Sequence, residues 1–340
     1  MNHFKHSRSK LTSLGQNTPH NFAMSHSMML FRKNALYSFI PKNACSTLRL
    51  STAIDNGCIE RVEQGHWIHE NNQTFNPTLA EAVKVDYSFV VLRCPFRRLA
   101  SVFLDKFVAK EPDAWQYRNA RERKIDLNEL TFREFVLSLE SLPLLYSNIH
   151  WRPQVDFLLY QDYSDYFSLE RFDHAIITLK EKIDFNVYDA RSLTNHGTDG
   201  YDMKDHQCYT DMCAFELAVM KRNGQCPSYS VMYDHELYDF VAQLYQDDLT
   251  LYRDKFGNTD LLSRQEVHVR ELDINTVTLD SVQSAADVDF LRDKAIHLET
   301  RDLPMALKLM SLAYQARPSG PLIKAKYLKY KKVMEQGKSL

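Results

Sequence analysis

Residues 37–49, Tyr37-Ser38-Phe39-Ile40-Pro41-Lys42-Asn43-Ala44-Cys45-Ser46-Thr47-Leu48-Arg49, run from an apolar stretch through a Pro-Lys step and small hydroxyl residues into a helical pattern. That order predicts a strand over Leu36–Ile40, an anion-cradling turn, and a helix over Ser46–Asn56. Free backbone N–H groups and the positive end of the helix dipole bind phosphate at such a junction, and a lysine adds a point charge. The Walker form, G-x-x-x-x-G-K-[ST], has no match in the chain. Here the lysine precedes the turn instead of following it, and the turn holds no glycine.

A second unit of the same kind follows about 50 residues later. Tyr87–Arg93 is a near-continuous β-branched and aromatic run, the pattern of a strand buried on both faces of a parallel sheet. It leads through Pro95 into an amphipathic helix expected over Phe96–Phe107. Two strand–turn–helix units predict an α/β sheet that binds its ligands at the carboxyl ends of the strands. Arg93 closes its strand and offers a planar fork to a phosphate, while Ser101 on the next helix offers a hydroxyl. Taken alone, the stretch also reads as a strand end with a solvated, Arg-rich helix start.

Together these residues resemble a known pair. Pro41-Lys42-Asn43-Ala44-Cys45-Ser46-Thr47 resembles the 5′-phosphosulfate loop of sulfotransferases that use 3′-phosphoadenosine 5′-phosphosulfate (PAPS). Arg93-Cys94-Pro95-Phe96-Arg97-Arg98-Leu99-Ala100-Ser101 resembles their 3′-phosphate motif, R-x-P-x-x-R-x-x-S. Phe132-Arg133-Glu134-Phe135-Val136, His150-Trp151-Arg152-Pro153-Gln154, Glu170 and Leu244-Tyr245-Gln246-Asp247-Asp248-Leu249 are similar to segments of the carbohydrate branch of that family, which includes chondroitin 4-O-sulfotransferases. The resemblance implies a P-loop-like three-layer α/β core with a parallel sheet, and transfer of a sulfuryl group from PAPS to a carbohydrate hydroxyl, leaving 3′,5′-phosphoadenosine (PAP), with no metal.

It also implies roles for residues. Lys42 would neutralise charge on the leaving oxygen, and the N–H groups of Asn43, Ala44, Cys45, Ser46 and Thr47, with the Ser46 and Thr47 hydroxyls, would hold the 5′-phosphate. Cys45 stands where small residues are usual and reads as packing. The acceptor hydroxyl needs a general base. Related polysaccharide 2-O-sulfotransferases place a histidine between the two motifs, which points to His66 or His69. Here the pair is separated by two residues instead of one, and an incidental surface loop is the plainer alternative. His150 is a rival base, although Trp151 and Pro153 beside it suggest a structural corner; Glu70 is a carboxylate alternative.

A net charge of −2 argues against a protein that coats nucleic acid, and no apolar run is long enough to span a membrane. Met1–His20 lacks the apolar core of a secretory signal, so a soluble, cytoplasmic, bacterial enzyme is expected. The six cysteines are too scattered for a disulfide framework, and His206, Cys208, Cys213 and Cys226 match no standard zinc spacing. Arg118, Arg121, Arg123 and Lys124 form a basic cluster, read either as a solvated helix or as an attractor for an anionic glycan.

The expected organisation is a frayed arm over 1–20, a PAPS-binding domain over 21–262, a linker over 263–285 and a helical, tetratricopeptide-like extension over 286–340. One such helical unit is expected to pack on the main domain or on a protein partner. Further helices are expected over Leu130–Leu139, His150–Tyr160 and Asp234–Asp254, a strand over His174–Leu179, and a surface excursion from Asn195 to Ser230. Two other functions compete: a nucleotide kinase or triphosphatase, which would need Walker glycines, and a non-catalytic interaction protein acting through its helical tail.

Overall fold

The computed structural model describes residues 3–7, 13–71, 73–121, 124–190, 200–267, 274–282 and 285–335. The chain divides into two compact units, residues 1–268 and 269–340. At the centre of the first lie four strands, β1 (Ser27–Leu30), β2 (Ala35–Ser38), β3 (Tyr87–Leu92) and β4 (Asp165–Ser168), ordered β1-β2-β3-β4. β1 is antiparallel to β2, and the β2–β3 and β3–β4 pairs are parallel. Strand side chains alternate between faces. Leu36, Val90 and Leu92 enter one apolar core, while Tyr37, Phe89 and Val91 enter another. Both faces are therefore covered, and the unit has three layers.

The covering helices, in chain order, are α1 (Thr18–Ser25), α2 (Cys45–Asp55), α3 (Trp67–Glu70), α4 (Leu79–Lys84), α5 (Pro95–Val102), α6 (Pro112–Ala120), α7 (Phe132–Ser138), α8 (Leu142–Leu145), α9 (Phe172–Ile183), α10 (Ala214–Arg222), α11 (His235–Leu244) and α12 (Gln246–Phe256). Because β2 and β3 are adjacent and parallel, with Ser38 opposite Val90, the turns that leave them emerge side by side at one edge of the sheet.

Several sequence expectations are corrected. The helix after β3 does not run uniformly to Phe107; Phe103–Phe107 is a π-helical turn in which Val108 N–H reaches Phe103 O, five residues back, at 3.1 Å. The wide turn buries the stacked Phe103 and Phe107 rings together with Asp105 and Lys106. His150–Tyr160 is a turn followed by a short 3-10 segment, Gln154–Phe157. Pro153 denies an α-helix its donor, and the Asp248 carboxylate takes the Gln154 and Val155 N–H groups at 2.8 and 2.9 Å.

His174–Leu179 lies inside α9. Its β-branched run hides a helical period, Phe172, Ala175, Leu179 and Ile183, and the strand is the preceding Asp165–Ser168. Asp234–Asp254 breaks at Tyr245, whose hydroxyl donates to Trp151 O, so that α11 and α12 are separate. The Asn195–Ser230 excursion contains α10 and a parallel pair, β5 (Asp202–Lys204) and β6 (Gln225–Pro227); residues 191–199 lie outside the described residues. The arm is packed where it is described: Phe4 is buried and stacked on Tyr160, and Lys5 N–H bonds to Leu159 O at 2.9 Å.

The second unit holds α13 (Ala285–Leu298), α14 (Leu303–Ala316) and α15 (Pro321–Glu335). Leu291, Ala295, Leu309, Met310, Ile323 and Tyr330 are buried against one another, so these helices do close a small core of their own. No described helix is long and apolar enough to cross a membrane.

Candidate active site

The turn after β2 carries two non-glycine residues in the left-handed region, Lys42 (φ 71°) and Ala44 (φ 56°). Each costs roughly 1–2 kcal/mol in an L-residue, a strain that persists only where surrounding contacts impose it. Those contacts are visible. Asn43 Nδ2 donates to Val91 O at 2.9 Å and to Gln154 Oε1 at 2.6 Å, and Arg98 Nε donates to Pro41 O at 3.1 Å. A left-handed residue followed by right-handed helix turns successive N–H groups to one side. Leu48 N–H is the first to reach back, to Ala44 O at 3.0 Å, so the Cys45, Ser46 and Thr47 N–H groups stand outside the helical ladder at the N-terminus of α2. Thr47 Oγ1 accepts from Ala190 N–H at 3.3 Å.

Asn43 departs from its sequence assignment. Its N–H is bonded to Ile40 O and its side chain is fully buried, so it braces the cradle from behind and does not line it. Cys45 packs on the core of the α2 layer, as its position suggested.

Arg93 arrives from the neighbouring strand. One guanidinium nitrogen donates to Lys42 O at 3.0 Å and to Ser101 Oγ at 2.8 Å, and the group lies over the Tyr229 ring. Gln154 locks the two turns together, accepting from Arg93 N–H at 3.0 Å as well as from Asn43, and donating to Arg93 O at 2.9 Å. The fully buried Arg98 does the same for a third segment: it donates to Pro41 O, to Arg152 O at 2.8 Å and to Ile149 O at 3.1 Å. His150 is thereby held next to the Pro41-Lys42 step.

Lys42 Nζ sits 2.8 Å from Asp105 Oδ2. Burial pushes its pKa down, and the Asp105 carboxylate opposes that shift. Asp105 also faces Lys106 at 3.4 Å, Lys106 faces Asp113 at 3.7 Å, and Asp113 lies 3.0 Å from His150 Nδ1. One chain of alternating charge thus joins the cradle lysine to a histidine.

The model of the Sulfotransferase family matches residues 25–253, which include the cradle, Arg93–Ser101 and the His150 turn. The chain belongs to the sulfotransferase family. No curated protein and no solved structure matches it. Its general chemistry is sulfuryl transfer. Among the described residues no three His, Cys, Asp or Glu side chains gather as a metal-binding group.

Within this sulfotransferase the candidate bases separate. His66 is exposed, at the start of α3, and α3 packs beside α2 through a bond from Arg49 Nη2 to Ile68 O at 2.6 Å. The His69 side chain lies outside the described ones. The turn that carries His150 is tied to the Lys42 loop through Arg98, which binds Ile149 O, Arg152 O and Pro41 O. Arg123 of the basic cluster also lies outside the described residues, while Arg118 and Arg121 bond to Ile125 O and the Tyr117 hydroxyl.

Sequence reasoning missed Asp105, Lys106, Asp113 and the clamp formed by Arg98, Gln154 and Asp248. Asp105-Lys106 fall within the helix expected over Phe96–Phe107, where they had no role, and nothing local marks Asp113. A cleft of about 430 Å³, lined by Tyr146, Asp156, Phe240 and Asp247 among others, has none of the cradle residues in its wall.

One buried and two half-buried histidines predict the pH response of the fold. His20, His26 and His150 are all held below the ordinary histidine value, chiefly by burial. Unfolded histidine titrates near pH 6.5, so below that pH the unfolded chain binds more protons than the folded one. Stability is therefore fully present above about pH 6.5 and is lost as pH falls toward the depressed folded values. Thermal midpoints recorded between roughly pH 8 and 5 should drop on the acid side; a flat profile would contradict the burial argument.

Proposed function

We propose that this enzyme transfers the sulfuryl group of PAPS to a carbohydrate hydroxyl, on a cell-surface or capsular glycan. The observation that carries the reading is the pairing of two anion sites on adjacent parallel strands. The α2 cradle and the Arg93–Ser101 pair are joined by the 3.0 Å bond from Arg93 to Lys42 O. A nucleotide with phosphates on both sides of its ribose suits such a pair, and ATP lacks the second phosphate.

In this reading the Cys45, Ser46 and Thr47 N–H groups and the Ser46 hydroxyl hold the 5′-phosphate, and Arg93 with Ser101 holds the 3′-phosphate. Lys42 turns from Asp105 to the oxygen that bridges phosphate and sulfate, where it neutralises the charge left by the departing sulfuryl group. Asp105 keeps the buried ammonium charged until then. By analogy with phosphoryl transfer, the protein works mainly by positioning and charge stabilisation.

Thermal shift with PAP and with ATP–Mg²⁺ separates this reading from a kinase or triphosphatase, since stabilisation by ATP–Mg²⁺ alone would sink it. Transfer of radiolabelled sulfate from PAPS to a panel of polysaccharides then identifies the acceptor. Arg93→Ala should weaken PAP binding by about 10–100-fold, the loss of charge-assisted bonds worth about 1.5–3 kcal/mol, read by calorimetric titration. Wild-type affinity in that variant would remove the 3′-phosphate site from Arg93.

A further inference from the structure

The His150 ring is oriented by two acceptors on the same nitrogen. Nδ1 lies 2.9 Å from Asn148 Oδ1 and 3.0 Å from Asp113 Oδ1. The Asn148 amide is itself oriented, because its Nδ2 donates to Asp113 Oδ1 at 2.7 Å and its Oδ1 accepts from His150 N–H at 2.9 Å. Both groups facing Nδ1 are therefore acceptors, and Nδ1 must carry the proton. In the neutral ring that leaves the lone pair on Nε2, which makes no bond to the described residues and is not a sealed, buried atom.

Position supports the same role. Arg98 binds the carbonyls of Ile149 and Arg152, on either side of His150, with the guanidinium that also binds Pro41 O. The turn that carries the ring is therefore clamped to the lysine loop, and the Lys42 charge acts on the ring.

Resting on the PAPS reading above, we propose that His150 is the general base of the transfer and that Asp113 is its positioning residue. As the acceptor oxygen bonds to sulfur, its O–H bond breaks and the proton passes to His150 Nε2. The bond from sulfur to the bridging oxygen breaks, and its electron pair stays on the 5′-phosphate oxygen, facing the Lys42 ammonium. The imidazolium so formed is stabilised by Asp113 and later releases its proton to water.

The charged groups around the ring are Asp113 on α6, Lys106 on the π turn and Lys42 on the cradle. Burial, the largest influence, pushes the His150 pKa down; Asp113 opposes it, and both lysines reinforce it. His150 is thus unprotonated at neutral pH, the form a base requires. Burial works against the Asp113 anion, but the bonds it accepts from His150 and Asn148, with the Lys106 ammonium, hold it well below the usual carboxylate range.

The test follows turnover of radiolabelled PAPS with chondroitin, heparosan and water as acceptors, beside PAP binding by thermal shift. His150→Ala and His150→Gln should lower kcat by about 10²–10⁴-fold and retain PAP protection, and added imidazole should restore part of the His150→Ala activity. Asp113→Asn should move the acid limb of the kcat/KM profile to lower pH, since the base loses its anionic partner, and should lower the plateau. A merely structural Asp113 would leave the limb in place. Normal turnover in His150→Ala with intact PAP protection overturns this inference alone, as does loss of turnover confined to His66→Ala or His69→Ala. Failure of PAP to protect the unmodified chain overturns the PAPS reading and this inference with it.

Discussion

Lys42→Ala should lose sulfuryl transfer by about 10³-fold in kcat while it still binds PAP. The loss corresponds to about 4 kcal/mol of transition-state stabilisation. In the proposed mechanism the lysine is the cation that meets the leaving oxygen, in a mostly buried setting where one preorganised charge has its greatest effect. Binding survives because the α2 N–H groups and Arg93 remain. The fold survives as well: Asp105 loses one partner but keeps Lys106 at 3.4 Å, so no carboxylate is left buried without a cation. Lys42→Arg should not restore the rate, because a planar fork is a poor substitute for a compact ammonium aimed at a single oxygen. Single-turnover measurements with radiolabelled PAPS would decide the matter, and a Lys42→Ala enzyme with normal turnover would refute the proposed site.

Arg98→Met should destabilise the first unit by about 3–5 kcal/mol and reduce transfer in whatever enzyme still folds. Arg98 is 2% exposed, and its guanidinium donates to three backbone carbonyls, Pro41 O, Ile149 O and Arg152 O. Methionine fills much of the volume but leaves those carbonyls buried without donors, at about 1–3 kcal/mol each before relaxation. For a unit of this size the thermal midpoint should fall by roughly 10 °C. Arg98→Lys should rescue little, since one ammonium cannot span three carbonyls fixed in different directions. The turnover loss should exceed what unfolding explains, because the same bonds hold the His150 turn against the Lys42 loop. Denaturant unfolding within about 1 kcal/mol of wild type would show that the clamp is dispensable.

The parts of this enzyme that were legible in its sequence are those written in consecutive residues. The strand–turn–helix units at Lys42 and Arg93 could be read because an apolar run, a proline and small hydroxyl residues each act on their immediate neighbours. The parallel sheet followed, since two such units bury both faces of their strands. Elements whose signals are ambiguous over a few residues were misread: the β-branched run in α9 passed for a strand, and His150–Tyr160 passed for a helix despite Pro153.

The working arrangement of the site depended on contacts between distant residues, which no local pattern encodes. Lys42 meets Asp105 across 63 positions, and Arg98 reaches Arg152 across 54. Gln154 receives Asn43 across 111 positions. A π turn that buries Asp105 alongside Lys42, and a proline turn that leaves His150 between two clamped carbonyls, arise from packing against segments far away in the chain. Residue order therefore specified the strand–turn–helix cradle and the fixed charges beside it. Folding chose the Asp105 counterion that holds its lysine and the Asp113 and Asn148 partners that orient His150, because burial and long-range hydrogen bonds set both.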